Sequence, residues 1–308
     1  MNKRIGSTIA NDSDRLMPKA QKNWDWRAAA NFIAGGAGGS LVFFTAWATL
    51  GGAGFIAPLL LGLVLVGCGL LCVWFEIGRP WRALNVFLHL STSWMTREAT
   101  VGTLLFVSGF LTLVTGAGVL VWLSALLGVA FLYAQARILA NNKGIPAWRH
   151  RRCLPLVVST GLAEGAGLLA VVLALQGASG AWLAALLLVL VCVRYLMWRA
   201  YRIGLVSDGA PAGTLDALRD IANRFTLLGH AAPALLLAIG LTGFVAPGWS
   251  AALAGLAVVA AGWELKYTLV RRAAFTQGLS LAHLPIRGAG VAGAAVRPGW
   301  KGLPGQGA

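Results

Sequence analysis

Gly54-Phe55-Ile56-Ala57-Pro58-Leu59-Leu60-Leu61-Gly62-Leu63-Val64-Leu65-Val66-Gly67-Cys68-Gly69-Leu70-Leu71-Cys72-Val73-Trp74-Phe75 carries no charged residue and ends on Glu76. As a helix, a run of this kind crosses the roughly 30 Å of a bilayer's hydrocarbon core, for which about 20 apolar residues suffice. The polar/apolar alternation of a membrane barrel is missing. Seven further runs of the same kind lie near Ala28–Leu50, Ala99–Gly116, Val119–Ala140, Leu154–Gln176, Ala181–Arg202, Leu227–Ala246 and Ala251–Val270. Backbone groups in lipid must be satisfied within each segment, so the sequence predicts an all-α integral membrane protein of eight transmembrane helices.

Composition agrees. Only 11% of the 308 residues are charged and 58% are hydrophobic, with mean hydropathy +0.74, whereas a soluble domain carries about 25% charged residues. In a soluble protein the net charge of +15 would point to nucleic acid; here the basic residues flank apolar runs, and no nucleic-acid partner is expected. The connectors near Gly51–Ala53, Ala117–Gly118, Gly177–Gly180 and Pro247–Ser250 carry no charge. Every Lys and Arg falls in the N-terminal arm, 76–98, 137–152, 194–224 or 266–301. The positive-inside rule therefore predicts that both termini and all long loops face the cytoplasm, across a bacterial inner membrane. The chain divides into a cytoplasmic arm (1–27), a transmembrane domain (28–270) and a cytoplasmic tail (271–308). The first run has no cleavage site of the signal-peptide kind and reads as a retained span. Ile33-Ala34-Gly35-Gly36-Ala37-Gly38 resembles Leu162-Ala163-Glu164-Gly165-Ala166-Gly167, which suggests two parallel four-helix halves.

Polar groups in such a chain mark where chemistry should be sought. The segment Glu76–Glu98 gathers Glu76, Arg79, Arg82, Asn85, His89, Arg97 and Glu98 between two apolar runs. A quinone pocket needs acids or histidines beside the carbonyls to move protons, and arginines to stabilise developing negative charge. Arginines that set topology and pair with interfacial glutamates are the more common arrangement. His89 suits a proton relay near neutral pH, and equally a solvated interfacial residue. Glu164, in mid-span, costs roughly 2.5–3.5 kcal/mol by insertion scales, and is read either as a functional acid or as a hydrogen-bonded packing residue. Arg194, Glu264 and Lys266 are expected to pair between helices or to snorkel; Asn31 and Gln135 are expected to hydrogen-bond between helices. The glycines of 35–40 lack the Lys-Ser/Thr of a phosphate loop and read as close helix packing. Cys68, Cys72, Cys153 and Cys192 lack metal or disulfide spacing and read as small packing residues, and His230 has no evident facing partner for haem. No metal is expected on this chain.

The loop resembles the signature of the DmsC-type membrane anchors, the quinone-reactive subunits of dimethyl sulfoxide reductase and related molybdopterin oxidoreductases. Their pattern runs His-Leu-Gly-x-Pro-x-Arg-Ala-x-Asn and then Ser-x-x-Ser-x-Glu. Gly78, Pro80, Arg82, Ala83 and Asn85 match the first part; Ser93 to Glu98 matches the second, with Thr96 in place of Ser. The resemblance implies an anchor that binds no cofactor of its own and docks a molybdopterin subunit and an iron–sulfur subunit. It also implies that Glu98 takes part in quinone handling; Gly78, Arg79 and Arg82 of the same loop are candidates for that site. Glu76 stands where the family has His, so the proton-transfer role there passes to a group of different resting charge. The stretch Asn23-Trp24-Asp25-Trp26-Arg27-Ala28-Ala29-Ala30-Asn31-Phe32 is similar to a narrower branch, the membrane subunits of phenylacetyl-CoA:acceptor oxidoreductases. That branch implies phenylacetyl-CoA as substrate, oxidised at its α-carbon towards phenylglyoxylate, with the soluble subunits on the cytoplasmic face. The competing readings are a secondary transporter with Glu164 as coupling acid and a purely structural anchor.

Overall fold

A computed structural model describes residues 16–77, 80–178, 180–281 and 296–301. Among the described residues, eight helices are long and apolar enough to cross a membrane: α1 Trp26–Leu50, α2 Ile56–Glu76, α3 Trp94–Thr115, α4 Gly118–Ala140, α5 Cys153–Leu175, α6 Ala181–Ser207, α7 Ala212–Leu241 and α8 Pro247–Arg272. Two short helices, Pro80–His89 and Pro146–Arg149, lie in the loops before α3 and α5.

Local sequence sets the ends of these helices. Asp25 caps α1 by accepting from Arg27 N at 2.7 Å, and Ser93 caps α3 by accepting from Thr96 N. Gly116, at φ +66°, reverses the chain between α3 and α4, a conformation that suits a residue with no Cβ. Pro247 begins α8, where a missing N–H costs nothing. Several boundaries move from their expected places. The amphipathic stretch 212–226 continues into the apolar run after it, so α7 starts at Ala212 rather than Leu227 and ends at Leu241, ahead of Gly243 at φ +81°. α3 begins at Trp94, α6 runs on to Ser207, and Pro247–Ser250 forms the first turn of α8 rather than a connector.

The packing repeats in two halves. Within α1–α4 the first helix packs on the second and fourth, and the third on the fourth; α5–α8 follow the same scheme, and α1 and α4 pack on α5 to join them. α1, α5 and α8 are the most buried spans. Glycines lie at the crossings, among them Gly38 and Gly39 of the run that the sequence marks for close packing. A Cβ at Gly38 would come 2.5 Å from Gly62 O, one at Gly39 2.7 Å from Gly128 O, and one at Gly167 2.9 Å from Gly255 O. Small residues let membrane helices approach to backbone contact, where dispersion is strongest.

Three helices contain a π-turn: Asn31–Gly35 in α1, Leu227–Ala231 in α7 and Thr268–Arg272 in α8. In α7 the cause is legible. Pro233 has no N–H, which leaves Gly229 O without its helical donor, and Arg194 from α6 supplies one. His230 Nδ1 then reaches Phe225 O at 2.7 Å. On the loop side the chain ends are joined: Gln21 N donates to Ala274 O, Thr276 N donates to Lys19 O, and Ala210–Pro211 pairs antiparallel with Trp300–Lys301.

Candidate functional site

Where α1, α2, α3 and α4 meet on the loop side they enclose a cleft of about 290 Å³. Trp24, Phe32, Val73, Ile77 and Met95 give it apolar walls, and Asn23, Asn31, Glu76 and Glu98 are its polar groups. The two carboxylates that bracket the signature segment, at the end of α2 and in the first turns of α3, thus line one cavity.

Glu98 is only 6% exposed. Its Oε1 accepts from Asn31 Nδ2 of α1 at 3.0 Å and from Gln135 Nε2 of α4 at 3.0 Å. Gln135 Nε2 also donates to Asn31 O at 3.0 Å, so the three side chains brace one another. Both bonds converge on Oε1, leaving Oε2 without a hydrogen bond among the described residues. Buried polar atoms generally find partners, so a free carboxyl oxygen in a cleft is a place for a ligand or a proton. Glu76 is half-buried at the cleft's edge, where Oε1 accepts from Asp25 N at 3.4 Å. Arg27 fixes this corner by donating to Phe75 O at 2.6 Å and to Asp25 Oδ2 at 2.7 Å. The hydrogen bond from Arg27 holds the Asp25 carboxyl below the usual carboxylate range.

The second part of the signature anchors the loop. Thr96 Oγ1 donates to Val86 O at 2.5 Å, and Arg97 donates to Leu90 O at 3.0 Å and Ser91 O at 2.7 Å. The guanidinium carbons of Arg97 and Arg137 lie 4.3 Å and 4.8 Å from the centroid of Trp94. His89 is exposed at the end of the short helix and is not among the cleft's lining residues. Gly78 and Arg79 lie outside the described residues, as does the side chain of Arg82.

The other polar groups pair between helices. Glu164 is fully buried, and its Oε2 accepts from Lys266 Nζ of α8 at 2.5 Å. Glu264 pairs with Arg224 of α7 at 2.6 Å. Arg194 does not snorkel: it is fully buried, donating to Val258 O at 2.9 Å, to Gly229 O and to His230 Nε2 at 3.2 Å. His230 therefore has its partners in Arg194 and Phe225. In the loop before α5, burial pushes the His150 imidazole down, with Asp208 3.3 Å away acting in the opposite sense. Of the cysteines, Cys153 is a buried packing residue, but Cys68 and Cys192 face outward from the bundle.

The family model of the DMSO reductase anchor subunit (DmsC) matches residues 40–207, more than half of the chain. The chain belongs to the DmsC family. It is a multi-pass membrane anchor subunit of a molybdopterin oxidoreductase. No curated protein matches this DmsC-family chain. The matched segment contains both cleft carboxylates; five other lining residues, from Asn23 to Phe32, precede it. Sequence reasoning marked Asn31 and Gln135 as interhelical hydrogen bonders without joining them to Glu98. Trp24 was not marked as a wall of the site, although it belongs to the stretch that carries the narrower resemblance.

Proposed function

We propose that this DmsC-family anchor exchanges electrons with membrane quinone in the cleft between Glu76 and Glu98. One observation carries the reading: both acids of the signature segment face a single cavity, and one oxygen of the deeper acid is uncommitted. Apolar walls with two separated acids suit a flat ring with a carbonyl at each end. Asn31 and Gln135 hold Glu98 by Oε1, which aims Oε2 at the ligand as the group that gives or takes a proton at one carbonyl oxygen. Glu76, partly open to the loop side, exchanges protons with water there. Electrons come from the partner subunits, an iron–sulfur protein and a molybdopterin protein, docked on the arginine-rich side. Positive-inside topology makes that side the cytoplasm of a bacterial inner membrane. The substrate of the complex is phenylacetyl-CoA, oxidised towards phenylglyoxylate; the resemblance of residues 23–32 supports this assignment, as does a cytoplasmic docking face, where acyl-CoA is available.

The test is a gentle detergent purification from native membranes, with identification of subunits and metals and an assay of quinone reduction by phenylacetyl-CoA. Molybdenum and iron–sulfur partners with that activity are expected. Glu98→Gln should lower quinone turnover by about 10²–10⁴-fold, the usual worth of a positioned acid or base, while the complex still reduces a soluble dye that bypasses the membrane. Normal quinone kinetics with lost assembly would make the loop a docking element only. A molybdoenzyme inert to phenylacetyl-CoA would remove the substrate, and recovery of the chain alone would overturn the anchor role.

A further inference from the structure

We propose that the groove between α6 and α7 is a specific site for an anionic diacyl phospholipid, with its phosphate on Arg199 and Arg202 and an acyl chain beneath them. The outward face of α6 changes character along its length. Val191, Cys192, Tyr195 and Leu196 form one wall of an apolar groove of about 410 Å³, which Thr226, Ala231 and Ala234 of α7 close from the other side. One turn further towards the loop side, at helical spacing on the same face, Arg199, Arg202, Ile203 and Val206 line a second hollow of about 440 Å³. Arg202 also borders a smaller recess shared with Arg219 of α7. An apolar groove thus lies one helical turn from a cationic rim on the same face of α6.

The arginines themselves say what the rim is for. Most neighbouring arginines spend their donors on the protein: Arg194 on backbone carbonyls, Arg152 on Ala200 O and Arg224 on Glu264. Arg199 and Arg202 donate no hydrogen bond and form no ion pair among the described residues. Among the described residues, Arg199 lies 5.9 Å from the Tyr195 ring and Arg202 5.4 Å from the Trp198 ring. These contacts hold the guanidinium planes near the helix while leaving their N–H forks free, and such a fork matches two phosphate oxygens. The third arginine, Arg219, is 3.6 Å from Asp216. A neutral lipid or an apolar partner helix would leave the two free cations uncompensated. An anionic headgroup compensates them, and basic pockets between helices near a membrane surface bind such headgroups.

Native mass spectrometry of the chain, with whatever subunits co-purify, tests this. Phosphatidylglycerol, phosphatidylcholine and inorganic phosphate are added in separate arms. Phosphatidylglycerol should bind in preference to phosphatidylcholine. Arg199→Ala with Arg202→Ala should weaken that binding about thirtyfold, the equivalent of about 2 kcal/mol for two basic groups at an anionic surface. Cys192→Trp, which fills the apolar groove and leaves both arginines, should weaken it as well. Arg199→Lys with Arg202→Lys keeps the charges without the forks, so it should bind less tightly than the wild type yet more tightly than the alanine pair and still prefer phosphatidylglycerol, and this variant answers the charge question should the alanine pair not fold. Equal binding of both lipids, or binding indifferent to these substitutions, would overturn the proposal. Inorganic phosphate bound equally by the wild type and Cys192→Trp, with no lipid preference, would make the rim a free-anion site instead. A partner-subunit helix cross-linked to Cys192 would assign the groove to protein.

Discussion

Glu98 and Glu164 are both acids buried within helices, and their neighbours set them apart. Among the described residues Glu98 meets only neutral donors and keeps one oxygen without a hydrogen bond at a cavity. Glu164 meets an ammonium at 2.5 Å in a site closed to solvent. Breaking a buried ion pair from one side leaves an uncompensated charge, which costs about 3–5 kcal/mol. Lys266→Met should therefore destabilise the bundle by about that much, whereas Glu164→Met with Lys266→Met should recover most of it; denaturation in detergent reads both. A Lys266→Met protein as stable as the wild type would show that the pair does not hold α5 to α8. The sequence displayed Glu164 as a lone acid, and its partner 102 residues on could not be read from spacing. Glu264 and Lys266 are two residues apart, hence about 200° apart around α8, and so reach different helices. The same distance problem hid the brace on Glu98, whose donors lie 67 residues before it and 37 after it.

At the level of elements, hydropathy located every span, because a membrane imposes a length and a composition that no local preference overrides. It misplaced ends wherever an amphipathic segment continues an apolar one, as at α7, where the charged face of 212–226 masks a continuous helix. The π-turns were not legible. Glycines were legible as packing residues but not by partner. Gly39 tests how tight the crossings are, since a Cβ there would press on the backbone of α4 at Gly128. Gly39→Leu should cost about 1–3 kcal/mol by overpacking, seen as a lower unfolding midpoint and poorer extraction yield. A Gly39→Leu protein of unchanged midpoint would mean that α1 and α4 separate without cost. The same crossing helps to keep Asn31 and Gln135, on α1 and α4, within reach of Glu98.

For the whole molecule, the faint repeat between residues 33–38 and 162–167 corresponds to a packing scheme used twice, with α1 and α5 in equivalent places. The two halves differ in what they enclose: the first surrounds the acid-lined cleft, and the second closes around Glu164, Lys266 and Arg194. Family membership was readable from one loop, since Gly78, Pro80, Arg82 and Asn85 recur at fixed spacing; the cleft was not, because four helices and the N-terminal stretch build it jointly. Orientation gives a direct test. In intact cells an impermeant maleimide should label Ala53→Cys and spare Asn142→Cys, and the reverse pattern would invert the membrane sidedness proposed above. In that orientation the uncharged turns at 51–55, 116–117, 176–180 and 242–246 have a consequence for biogenesis. Each joins two apolar helices, so the chain can enter the bilayer as four successive hairpins whose tips carry no ionised side chain. Carrying a hairpin tip across then never drags a hydrated charge through hydrocarbon, at a cost of roughly 2.5–3.5 kcal/mol for each one.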